Sequence, residues 1–73
     1  MVYTLKQAPG GWVISGGLTD VPLIFLSGAK AEAKVKQLAA LSVRLGAWAL
    51  VRVIMADGSV LRELRYGPTP IAA

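Results

Sequence analysis

The sequence predicts an α+β domain, one helix packed on an antiparallel sheet, with elements in the order ββ(β)αββ. Three observations carry that prediction. A stretch from Ala29 to Leu45 is dominated by Ala, Lys, Leu, Glu and Gln, the strong helix formers. Short segments rich in β-branched and aromatic residues flank it on both sides. Gly, Pro and Asp punctuate those segments where tight reversals are needed. At 73 residues the chain holds one small domain, expected over 1–67, with 68–73 as a short C-terminal tail.

Val2 to Ala8 and Trp12 to Ser15 read as strands joined through Pro9-Gly10-Gly11, a hairpin. After Gly16-Gly17 and the polar Thr19-Asp20, Pro22 opens the apolar run Leu23-Ile24-Phe25-Leu26. Proline is tolerated at the first residue of a strand, and a run without alternation predicts a third strand buried on both faces. Ser27 is placed to N-cap the helix, and Gly46 stands where a left-handed C-cap is wanted. At 100° per residue, Ala31, Val35, Leu38, Ala39, Leu41, Ser42 and Leu45 share the arc expected to meet the sheet. Glu32 and Lys36 have the favourable i, i+4 order on its outer boundary.

Ala47 to Ala56 is too rich in Val, Ile and Trp to continue the helix, and Asp57-Gly58 before Ser59 to Tyr66 signals a second hairpin. Counting outward from a two-residue loop sets Ile54 against Leu61, Val53 against Arg62 and Arg52 against Glu63. The last is an opposite-charge pair across the ladder, which supports this register. Gly67, Pro68 and Pro70 end the sheet.

Composition narrows the function classes. Hydrophobic residues are 55% of the chain and charged residues only 16%, which excludes a disordered tail and a charge-laced coiled coil. The absence of Cys and His removes disulfides, thiol nucleophiles and the usual zinc, copper and iron sites, so no metal and no cofactor is expected. Mean hydropathy is +0.58. Yet the longest charge-free run, Gln7 to Thr19, holds Pro9 and four glycines and is too short for a span of about 20 residues. No basic region precedes an apolar run at the N-terminus, so the expectation is a cytoplasmic protein without membrane association.

The two faces of the second hairpin lead toward function. One gathers Ala49, Val51, Val53, Met55, Val60, Leu64 and Tyr66, with Arg62 its only charge, and is expected to cover the helix. The other gathers Trp48, Leu50, Ile54 and Leu61 around Arg52, Glu63 and Arg65. A solvated sheet face alternates apolar with polar residues, so this second apolar face needs cover. Either the first hairpin or Trp12 folds over it within one chain, or a second copy does. A core this small gains from oligomerisation, and the expectation is a homodimer or higher oligomer built on Trp48, Leu50, Arg52, Ile54, Leu61 and Glu63.

The order Gly10-Gly11-Trp12-x-Ile14, an Ala/Lys-rich helix closing on Leu45-Gly46-Ala47, an apolar strand, Asp57-Gly58 and a closing Tyr66-Gly67 resembles a family of small prokaryotic proteins known only as a domain of unknown function. The similarity runs from about Tyr3 to Gly67, and Val21 to Leu26 is more apolar than the family pattern. The resemblance implies no activity, cofactor or catalytic residue.

Each candidate for chemistry has a structural role at hand. Asp20, Glu32, Asp57 and Glu63 read as loop, helix-surface pair, turn residue and cross-strand ion pair, not as a converging acid and base. The serines lack a His to activate them, so the chain is expected not to be an enzyme. Ser27-Gly28-Ala29-Lys30 lacks the full glycine and Lys-Ser/Thr spacing of a phosphate loop and is better read as an N-cap. Ala29, Ala33 and Ala40 offer a small-residue helix face, which good helix-forming propensity already explains. The chain carries a net charge of +4 with a pI near 10.0. Lys30, Lys34 and Arg44 along the helix, with Arg52 and Arg65 from the hairpin, are therefore candidate phosphate contacts. The leading expectation is a non-enzymatic binding and assembly module, self-associating through the second hairpin. The alternative is a nucleic-acid-binding module.

Overall fold

The structure, a computed structural model, describes residues 1–67, and the expected tail at 68–73 lies outside the described residues. Elements follow as β1 (Val2–Ala8), β2 (Gly11–Gly16), β3 (Leu23–Phe25), α1 (Gly28–Arg44), β4 (Ala49–Ile54) and β5 (Val60–Tyr66). The α+β class and both hairpins are as the turn residues predict. The sheet order is β3-β2-β1-β4-β5.

The sheet is mixed, which corrects the expectation of an antiparallel one. β1 and β4 pair in parallel, with Tyr3 beside Val51 and Leu5 beside Val53. The remaining neighbours, β1 with β2, β2 with β3 and β4 with β5, are antiparallel. The cause is directional. Two antiparallel steps return β3 to the heading of β1, the helix carries the chain back across the sheet, and β4 then sets out in that same heading. Inserted beside β1, it has to run parallel to it.

The helix caps form as the sequence indicates. Ser27 Oγ accepts from the Lys30 N–H at 3.4 Å, and Leu45 is the C-cap. Beyond it Gly46, at φ 90°, donates to the Val43 carbonyl at 2.9 Å, and Ala47 donates to that of Ser42 at 3.0 Å. Those two bonds make a Schellman closure, and the left-handed residue in it is the glycine.

The core lies between α1 and one face of the sheet. Tyr3, Leu5, Ile14, Ala49, Val51 and Val53 meet Ala31, Val35 and Ala39, with Leu23, Phe25, Leu64 and Tyr66 packed at the margins. Two parts of the predicted core lie outside it. The third strand is an edge strand, not one buried on both faces: Leu23 and Phe25 turn inward, whereas Ile24 is 75% and Leu26 90% exposed. Leu41 and Leu45 share the helix flank above that edge and are also exposed. A 17-residue helix is about 25 Å long while a three-residue strand covers about 10 Å, so no strand lies beneath them.

Candidate self-association surface

The site is the sheet face away from the helix. In β4 the alternation is complete: Ala49, Val51 and Val53 are buried under α1, and Leu50, Arg52 and Ile54 point the other way, half-buried. Trp48, one residue before the strand, stands at the rim and is 39% exposed. Pairing extends this face across the whole sheet. Ile54 lies beside Lys6, Lys6 beside Val13 and Val13 beside Ile24. The next row runs Ser15, Thr4, Arg52, Glu63, and the row after it joins Val2, Leu50 and Arg65.

Arg52 and Glu63 are paired across β4 and β5, with Nε to Oε2 at 2.7 Å. The predicted register therefore holds at this point. It breaks nearer the turn, where Val60 instead of Leu61 opposes Ile54 and Leu61 is the extra residue of a bulge, 60% exposed. The turn is wider than a two-residue loop. Met55 accepts from the Gly58 N–H and donates to the Ser59 carbonyl, both at 2.9 Å, and Gly58 takes φ 87°. Asp57 Oδ1 accepts from the Ser59 hydroxyl at 2.6 Å and from its N–H at 2.9 Å. The hydroxyl bond first and the amide bond second hold the Asp57 carboxyl below the usual carboxylate range.

The two candidates for covering this face within the chain go elsewhere. The first hairpin continues the sheet sideways and adds its own Val2, Lys6 and Val13 to the open face, with Ile24 of β3 beyond them. Trp12 packs on the helix side, so close to Gly28 that a Cβ there would lie 2.9 Å from the indole Nε1. Sequence reasoning missed the contribution of β1 and β2. The signal was present in Val2-Tyr3-Thr4-Leu5-Lys6, where every second residue belongs to the core.

On the opposite layer, Glu32 Oε1 receives Arg62 Nη2, and Lys36 Nζ lies 3.8 Å away as the helical spacing predicts. Arg62 thus closes the helix against β5. Val60, expected beneath the helix, is exposed at the start of β5, and Met55 is half-buried at the turn.

The candidate phosphate contacts are not brought together. Lys30, Lys34 and Arg44 lie on the outer flank of α1, whereas Arg52 and Arg65 belong to the open face on the far side of the sheet. Of the acids, Glu32, Asp57 and Glu63 hold structural partners and Asp20 is exposed in a connection. Among the described residues, no group of three or more His, Cys, Asp or Glu gathers to hold a metal, and no helix is long and apolar enough to cross a membrane. No protein-family model, curated protein or solved structure matches this chain.

Proposed function

We propose that this protein is a non-enzymatic binding and assembly module whose working surface is the open face of the sheet, packed against the same face of a second copy. One observation carries the proposal: among the described residues no element packs over the face that holds Trp48, Leu50, Ile54 and Leu61, because the first hairpin lies in the sheet and Trp12 on the helix side. The chemistry of the face suits a second copy. Mostly aliphatic rows, one carrying Lys6 and the other Arg65, flank a polar row centred on Arg52 and Glu63, and two such faces stacked about a two-fold bury the aliphatics while the charges set orientation. The nucleic-acid alternative draws less support, because its cations divide between two sides of the domain and Glu63 neutralises one of those on the face.

The test is sedimentation equilibrium with circular dichroism. The wild-type chain is expected to associate at tens of micromolar, and Ile54→Glu to form smaller assemblies than the wild type with its helix retained. A wild-type monomer whose melting temperature is indifferent to concentration removes the proposal.

A further inference from the structure

The two edges of the sheet are unlike each other. The β3 edge is three residues long, and a short edge strand is one way that proteins blunt an edge. The β5 edge is seven residues long, Val60-Leu61-Arg62-Glu63-Leu64-Arg65-Tyr66, has no proline, and among the described residues pairs with no further strand. An edge of this length offers a row of N–H and C=O groups to another strand.

We infer that β5 pairs with β5 of a second copy, antiparallel about a two-fold axis through Leu64, to join two sheets into one of ten strands. The surface lies at the sheet edge and is separate from the open face. Geometry restricts the registers. A two-fold that sets two copies of one strand antiparallel stands perpendicular to the sheet and keeps every side chain on its own face, so the axis passes through a residue. An axis at Arg62, Glu63 or Arg65 puts like charges directly across from each other. An axis at Leu64 sets Glu63 against Arg65 of the other copy twice, by symmetry, on the open face. On the helix face it sets Leu64 against itself and Arg62 against Tyr66, an apolar contact and a guanidinium over a ring. A parallel pairing aligns each charge with its own copy and is disfavoured. Arg65, which has no ion-pair partner among the described residues, gains one.

The chain contains no cysteine, so paired single-cysteine variants give a clean readout. Directly opposed residues are about 4.5–5.5 Å apart and diagonal ones about 7–8 Å, so only opposed positions suit a disulfide. Glu63→Cys and Arg65→Cys are mixed in equal amounts and mildly oxidised. The expected result is a mixed disulfide several-fold in excess of either self-disulfide, persisting when both proteins also carry Ile54→Glu, which disables the open face. Equal yields in all combinations, or none, overturn the inference. In a second arm the triple inversion Arg52→Glu, Glu63→Arg, Arg65→Glu rebuilds both the pair within the chain and the pairs between chains. It is expected to associate with itself and not with the wild type; free mixing of the two overturns the register.

Discussion

The Tyr3 hydroxyl lies 2.7 Å from Ser42 Oγ, and both residues are fully buried between the central strand and the helix. Ser42 also donates to the Leu38 carbonyl at 3.1 Å, and the Leu18 N–H donates to the Tyr3 oxygen at 3.2 Å. One phenol thereby ties β1, α1 and the connection after β2 together. Deleting it in Tyr3→Phe leaves the Leu18 amide without its acceptor, at a cost of about 1–3 kcal/mol. Ser42→Ala leaves Tyr3 its bond to Leu38 and is expected to cost about 0.5–1.5 kcal/mol. Urea titrations of the two variants check the order, and a reversal contradicts the assignment of Tyr3 as the hub.

Gly46 supports a purely conformational prediction. Nothing lies within 4 Å of where its Cβ would be, yet its φ is 90°. Gly46→Ala should destabilise by about 1–2 kcal/mol through left-handed strain alone, and Gly46→Asn by less. Thermal unfolding of both variants reads the difference.

Asp57 links the turn to pH. Its folded-state carboxyl sits below its ordinary value, so ionisation favours the folded chain. That contribution is present above the ordinary carboxylate range and disappears as pH falls through the lowered folded-state value. Carbon-detected NMR titration is expected to find Asp57 deprotonating below a free aspartate, and Ser59→Ala to move it back upward. An Asp57 midpoint unchanged by Ser59→Ala contradicts the assignment.

Trp48 reports on the open face without altering it. Its fluorescence is expected to shift to the blue with rising protein concentration as the indole leaves water, and Trp48→Glu to lower the size of the assembly. Trp12 emits alongside it, so the comparison is made in Trp12→Phe. A spectrum constant from low to tens of micromolar argues against burial of this rim.

Much of the fold is written in local chemistry. Ser27 and Gly46 mark the helix, Asp57-Gly58 marks the second hairpin, and the charges of Arg52 and Glu63 fix most of its register. What local chemistry does not carry is partnership between distant strands. Val2-Tyr3-Thr4-Leu5-Lys6 has the same alternation whether β4 lies beside it or not, so the parallel pairing of β1 with β4 has no local signature. Leu23 to Leu26 misleads for a related reason. A continuous apolar run implies cover on both faces only where neighbouring strands and the helix extend far enough to provide it, and here they do not. The bulge at Leu61 arises from the wider turn, which moves the count by one before Arg62 restores it. The candidate face was legible in part: Leu50, Arg52, Ile54, Glu63 and Arg65 stand where alternation puts them, Val60 and Leu61 are displaced by the bulge, and the extension over β1 and β2 required the strand order.

The placement of β1 beside β4 also governs how the molecule comes into being. Residues 2–6 receive their second neighbour from residues 50–54, so the middle of the sheet joins segments that are far apart in sequence. Synthesis has to deliver residues 50–54 before that seam can close, and no fragment ending ahead of them contains the finished sheet. Ordering is expected to be a single late event, slower than in a helical bundle of equal size, because long-range closure precedes its reward.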